Sequence, residues 1–466
     1  MKDEEIIKLL LNHKNLKFGK SVLAHCSLDT IEIPPSISVI GPNAFEDSSL
    51  KSITFPPTVT TIEDNAFKGC EYLESVVIPE TITTIGENVF QGCKRLIKVT
   101  LPKTLKTISA GFLCGCTSIV NVTIPPSVTS IQNRAFANCK SLQGIKLPPS
   151  VTTLGDNVFY GCTFAKYSIP SSIVSIGKEC FSECTFLTKI EIPTSLTTIS
   201  NSLLKRCSAL AQVTIPSSIT TIDDYAFSGL TLLTKIVIPS SVKAINSNVF
   251  YNCTALEDVS LPTSLTSIGS SIFSNCTAIK SITIPQSVNS IGGYAFNKCT
   301  SLNNIDLQAQ ITVIKCSTFL GCTALKNVKI PSSVTTIEDN AFDGCTALDD
   351  VVIPQSVTKI GNAIFQNCKA LKKITLPSAL ESTGYNVFYG CIALQKVEIP
   401  SSLIEISVGF CRNCTSLTEV SLPPSMTSIK DYAFAGCTSL KKISVPSSLT
   451  DISKSAFPQE TQINKV

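Results

Sequence analysis

Apolar positions along this chain keep a fixed spacing from a recurring proline. In Leu73-Glu-Ser-Val76-Val-Ile78-Pro79 and Leu371-Lys-Lys-Ile374-Thr-Leu376-Pro377, apolar residues fall six, three and one positions before it. The last part alternates in and out, as a strand with one buried face must. Proline cannot donate a ladder hydrogen bond, so it marks the strand's end. A return path follows, clearest in PSSVTTIEDNAFDGCTALDDVVI from Pro331. There Val334, Ile337 and Ala341-Phe342 recur in one phase among Ser, Thr and charged residues.

This proline-led start repeats from Pro34 to Pro446. Sixteen of eighteen intervals are 23 residues and two are 22, with Gln308 in the one slot that lacks proline. Such regularity predicts a stacked solenoid whose units are too small to fold alone. Phe stands eleven residues after the anchor in sixteen of nineteen units, the exceptions being Leu113, Leu204 and Cys411. A column of this kind reads as a core spine. The rival reading is an aromatic binding platform, but the exceptions stay apolar. Residues 1–19 read as an N-terminal cap, with Ile6, Ile7, Leu10 and Leu11 covering the open end of the stack. Residues 20–457 read as the solenoid and 458–466 as a polar C-terminal tail.

The motif LxxVxIPxxVTxIxxxAFxxCxx, over roughly residues 20 to 457, closely resembles the BspA-like, Treponema-type class of leucine-rich repeats. The resemblance implies a mainly β solenoid, a curved stack of about 19 coils of 23 residues with a parallel sheet on its concave face. It also implies a non-enzymatic surface antigen of adhesion type. Partners of that class are proteins or glycans, such as host matrix, plasma or cell-surface proteins. A cytoplasmic scaffold or regulatory protein of the same fold is the alternative.

Composition narrows the choice. A length of 466 residues ordinarily suggests several domains, but a solenoid can be one long domain. Net charge is +4, too mild to argue for nucleic acid. No run of 18 apolar residues exists, so no membrane-spanning helix is expected. The opening MKDEEIIKLLLNHK is acidic where a secretory signal needs positive charge, and it reads as part of the cap. Location stays open between the cell surface, which the resemblance implies, and the cytoplasm.

Of 21 cysteines, 17 share one repeat slot, which Ser48 and Leu230 fill in two other units. A slot that accepts leucine is a packing slot. Between Ser48 and Leu230 the ladder holds seven cysteines, and beyond Leu230 nine. Both runs are odd, so pairing neighbours always strands a thiol. Reduced, buried thiols are the expectation, since cysteine packs as a small hydrophobe. Cys411 and Cys414 form a lone CxxC without the βαβ context of a redox motif or the four ligands of a structural zinc site. No metal or cofactor is expected.

Catalytic sets are scarce. His13 and His25 are the only histidines, which leaves little for acid–base or nucleophilic catalysis. No phosphate loop or zinc-protease motif is present, and the chain is not expected to be an enzyme. Sequons at Asn121, Asn252, Asn275 and Asn413 largely follow the repeat consensus.

The outward strand residues lie four and two positions before each anchor. Among them Lys98, Lys146, Lys166, Lys189 and Lys235 form a loosely basic stretch, and Asp258, Asp306 and Asp350 a weaker acidic one. The basic stretch is the candidate binding surface for an acidic partner or sulfated glycan. The plainer reading is solubility, because Glu191 and polar residues intervene. No aromatic cluster marks a hot spot on this face.

Overall fold

The computed structural model describes residues 16–466. The cap residues Ile6, Ile7, Leu10 and Leu11, and His13, lie outside that range. The chain is a parallel β-solenoid of about 20 turns of ~23 residues, with no helix among the described residues. It forms two compact units. One holds the described residues up to Ile219 together with Ala226–Leu230; the other holds Thr220–Tyr225 and Thr231–Val466.

The strand ahead of each proline forms where the alternation places it. In Ser75–Val77 the middle residue is buried and its neighbours are exposed. Leu73, Val76 and Ile78 are all at most 2% exposed. In the first unit Thr30–Glu32, Ser52–Thr54, Ser75–Val77 and Lys98–Thr100 make one parallel sheet, and Lys166–Ser168 pairs with Lys189–Glu191. In the second unit, the five strands from Asn327–Lys329 to Glu419–Ser421 make the longest run. Partners are one repeat apart, as in Lys373↔Lys396.

The return path carries two further ladders. One is a two-residue strand on the Thr-Ile pair, as in Thr336–Ile337, which pairs in register with Lys359–Ile360. The other runs through the turn. Asn340, Phe342 and Gly344 donate backbone N–H groups to Asn362, Ile364 and Gln366 of the next coil, at 2.8, 2.9 and 2.8 Å. Alternate residues can all donate one way because Asn340 and Gly344 take left-handed backbone, at φ 56° and 71°. The PSSVTT consensus also has a physical origin. Ser333 Oγ donates to the Ile311 carbonyl at 2.7 Å, and Thr335 Oγ1 donates to the Thr312 carbonyl at 3.2 Å. Hydroxyls at these slots thus tie many coils to the one before, although Ser36, Ser150 and Ser172 in the Ser333 slot have no partner among the described residues.

The Phe column is a buried spine. In the second unit Phe250, Phe273, Phe296, Phe319, Phe342, Phe365 and Phe388 stack in succession, with ring centroids 5.2–5.8 Å apart. Where the slot holds Leu113 or Cys411, the preceding residue is Phe112 or Phe410. Those rings meet Phe90 and Phe388 edge-on, at 83° and 85°.

The ends differ from the interior. Leu16–Phe18, placed at the edge of the expected cap, is a strand paired with Ile37–Ile40. The segment expected as a polar tail carries the strand Gln462–Lys465, paired with Lys442–Val445. All four of its residues are exposed, and polar side chains there discourage further strand addition.

Candidate interaction face

The outward strand columns are exposed positions whose residue type varies from unit to unit. Lys98, Lys146, Lys166 and Lys189 in the first unit, and Lys235 in the second, are all exposed on it. Lys166 and Lys189 are register neighbours on adjacent strands. Local carboxylates offset part of this charge. Lys189 Nζ lies 2.8 Å from Glu191 Oε1, and Lys235 Nζ lies 2.6 Å from Asp258 Oδ2. Hydrogen bonds from Lys189 and from Ser168 hold the Glu191 carboxyl below its usual range. Among the described residues, Lys98, Lys146 and Lys166 have no carboxylate within 4.0 Å. Of the acidic residues, Asp258 is the partner of Lys235 and Asp306 accepts from Gln308 Nε2 at 2.8 Å.

The face is not evenly closed. Lys98–Thr100 is the last strand of its sheet. Its Thr100 carbonyl accepts from Ile78 N, and Ile97 N donates to the Glu74 carbonyl, at 3.0 and 2.9 Å. Those bonds all run to the preceding coil. Among the described residues, no backbone hydrogen bond joins 97–101 to 120–124. A cavity of about 830 Å³ fills the break, lined by Ile97, Val99, Leu101, Val120 and Ile124, with Lys98 and Lys103 at its border. Of the other interruptions of this sheet, the one between Glu419–Ser421 and Lys442–Val445 holds about 720 Å³ with a more polar lining that includes Glu419 and Lys442.

The aromatic residues absent from the strand face collect on the turns. The Arg412 guanidinium sits 4.9 Å from the Tyr432 ring centre and 5.9 Å from that of Tyr389. Tyr385 and Tyr432 are 59% and 46% exposed. Exposed Tyr beside Arg is the composition of interface hot spots. Reading only the strand columns missed it; the signal was Tyr432 at a turn slot that holds Asn or Gly in units such as those of Asn340 and Gly409, with Arg412 on the preceding coil.

The repeat that builds this face matches a known family. The profile described as "BspA type Leucine rich repeat region (6 copies)" matches residues 16–129, 106–233, 224–349 and 335–464. The chain belongs to the BspA-type leucine-rich repeat family. Among solved structures it is similar to a leucine-rich repeat protein from Bacteroides ovatus, at 24% identity and TM-score 0.50, over 94% of this chain and 92% of that one. It is also similar to a leucine rich cell surface protein from Faecalibacterium prausnitzii, at 28% identity and TM-score 0.46, over 70% and 87% of the two chains. No curated protein matches.

Within this BspA-type stack the cysteines are packing residues. All 21 are free thiols, and all but Cys316 are buried. At fifteen positions of the shared slot, from Cys70 to Cys437, the thiol donates to a spine carbonyl of the preceding coil, as Cys93 does to Phe67 at 3.2 Å and Cys299 to Phe273 at 3.1 Å. Burial pushes the Cys322 and Cys391 thiols up to about 12. The CxxC pair is buried as well, and Cys411 is likewise raised by burial. A thiol so protonated is neither a nucleophile nor a ready metal ligand. His25 is exposed, with Nδ1 3.9 Å from Asp47 Oδ2, and among the described residues no nucleophile is hydrogen-bonded to it. Among the described residues no group of three or more His, Cys, Asp or Glu is placed to hold a metal. The sequon residues Asn252, Asn275 and Asn413 sit at the left-handed turn slot just before the ladder cysteine, which accounts for asparagine there without glycosylation.

Proposed function

We propose that this protein is a non-enzymatic interaction protein of adhesion type, whose outward strand columns meet a protein or glycan partner at the cell surface. The observation that carries the reading is the strand pattern itself. Within strands such as Thr30–Glu32 and Lys98–Thr100 in the first unit, and Lys442–Val445 in the second, inward residues are locked into the core while the residues between them are exposed. Such columns can vary without cost to the fold, and a sheet of them offers many weak contacts that act together. Lys98, Lys146 and Lys166 favour an acidic or sulfated partner at the first unit's part of this face.

The test is surface plasmon resonance on the immobilised full chain with matrix glycoproteins, plasma proteins and heparin as analytes. Binding should weaken in the triple variant Lys98→Glu, Lys146→Glu, Lys166→Glu, whose thermal stability should match that of the parent. Equal binding by parent and variant would remove these lysines from the site, and no binding to any analyte would count against adhesion. A cytoplasmic scaffold would use the same face. Antibody labelling of intact cells separates the two, since signal only after permeabilisation favours the scaffold.

A further inference from the structure

The position five residues before each anchor is polar or charged in most units: Lys51, Glu74, Gln143, Glu257, Lys326 and Lys441 are examples. Ile97 and Val120 are bulky apolar residues in that slot, and they occupy adjacent coils. Both line the 830 Å³ break, and Ile97 is 55% exposed. Pairing is interrupted at several coils of this sheet, and at this break two successive coils place bulky apolar residues in the polar slot. Packing does not require this, because the side chain at this slot points outward.

Resting on the interaction reading above, we propose that the break between Lys98–Thr100 and residues 121–124 is a docking slot for an extended peptide of a partner protein, which adds as a strand. The chemistry of the walls selects this occupant. Both facing edges present backbone N–H and C=O groups that lack a partner in the neighbouring coil, whereas paired coils such as Ile78 and Thr100 use theirs. An inserted strand satisfies both edges at once, as in other cases of strand addition. A compact apolar ligand leaves them unpaired. Ile97, Val99, Val120 and Ile124 then receive alternate apolar side chains of the peptide. The ammonium groups of Lys98 and Lys103 have no carboxylate within 4.0 Å among the described residues, although the Lys103 backbone N–H donates to Glu80 Oε2 at 2.8 Å, and they call for Asp or Glu beside the apolar positions. The volume lies within the range of specific ligand sites, ~300–1,000 Å³.

The probe is a phage-displayed library of random decapeptides selected on the full chain. The control is the double variant Ile97→Lys, Val120→Gln, which restores residue types that other coils carry at this slot, as at Lys51 and Gln143, and so preserves the fold. Selected peptides should carry apolar residues at alternate positions with an acidic residue beside them. As synthetic peptides they should bind the double variant at least about ten-fold more weakly. N-methylation of alternate backbone amides should weaken binding about as much, because it removes ladder donors. Peptides that tolerate N-methylation, or that bind parent and variant equally, overturn the proposal. So does a concentration-dependent dimer of the parent that the double variant abolishes, since a second copy is then the occupant. If the double variant keeps its binding to matrix or plasma proteins while selected peptides fail these criteria, the slot proposal falls and the interaction reading stands. If the parent binds neither class, both fall.

Discussion

The thiol of Cys345 donates to the carbonyl oxygen of Phe319, 26 residues earlier, at 3.2 Å. The same carbonyl accepts the Cys322 backbone N–H at 3.1 Å. Each spine residue is thus held by the cysteine of its own coil through the backbone and by that of the next through sulfur. Replacing Cys345 with alanine removes one of these donors and opens a small cavity. The expected cost is about 1–2 kcal/mol. Cys345→Ser keeps a donor of similar size, as Ser48 does in this slot with its hydroxyl 3.2 Å from Cys70 Sγ, and should cost less. Urea unfolding checks the order: the midpoint should fall most for alanine, at unchanged slope.

Burial of so many thiols makes the protein sensitive to alkali. Cys322 and Cys391 stay protonated up to about 12, and other ladder thiols shift the same way because burial penalises the thiolate. In the unfolded chain the same groups ionise near their ordinary value of 9.0. Between those limits the unfolded state holds fewer protons, so stability falls as pH rises, by about 1.4 kcal/mol per pH unit for each such thiol. Below pH 9 the thiols are neutral in both states and contribute no slope. The expected result is cooperative loss of the β circular dichroism signal starting just above pH 9, with rapid alkylation of thiols only past that point. A native spectrum retained to pH 11 contradicts this account.

Tyr167 stands at an inward strand slot, 7% exposed, and its hydroxyl has no hydrogen-bond partner among the described residues. Its ring packs against Phe159, Phe164 and Phe181, with centroids 5.5, 5.1 and 5.3 Å away. A buried hydroxyl without a partner carries a desolvation cost that phenylalanine lacks. Tyr167→Phe should therefore raise stability by about 1 kcal/mol or more, read as a higher denaturant midpoint. A lower midpoint would mean that the hydroxyl is solvated by a bound water.

The core was legible in the sequence because each inward slot repeats. Leu73, Val76, Ile78 and the Phe spine are buried where the spacing puts them. The ion pairs were also within reach: Lys189 and Glu191 lie two apart on one strand, and Lys235 and Asp258 lie one repeat apart. What escaped was the backbone pairing of the return path. It depends on left-handed residues such as Asn340 and Gly344, whose signature is recurrent Asn and Gly at two fixed slots. The break beside Lys98–Thr100 was hidden because the spacing of inward residues is unchanged there. Only Ile97 and Val120, apolar in a polar column, hinted at it.

The left-handed turn slots offer a direct test of backbone cost. Lys298 sits at φ 57° in the slot that Gly321 and Gly344 fill, at φ 71° each, in the next two coils. A left-handed residue with a Cβ costs roughly 1–2 kcal/mol, and glycine avoids this at an unfolded-state entropy cost of about 0.5–1 kcal/mol. Lys298→Gly should therefore stabilise the protein by about 0.5–1 kcal/mol. Gly344→Ala reverses the exchange. A Cβ built at Gly344 meets nothing closer than Gly321 Cα at 3.6 Å, an ordinary contact, so only the backbone term remains. It should destabilise by about the same amount as Lys298→Gly stabilises. Paired urea titrations of the two variants check both signs. Equal midpoints for parent, Lys298→Gly and Gly344→Ala would show that the turn ladder, and not backbone strain, sets the residue preference at this slot.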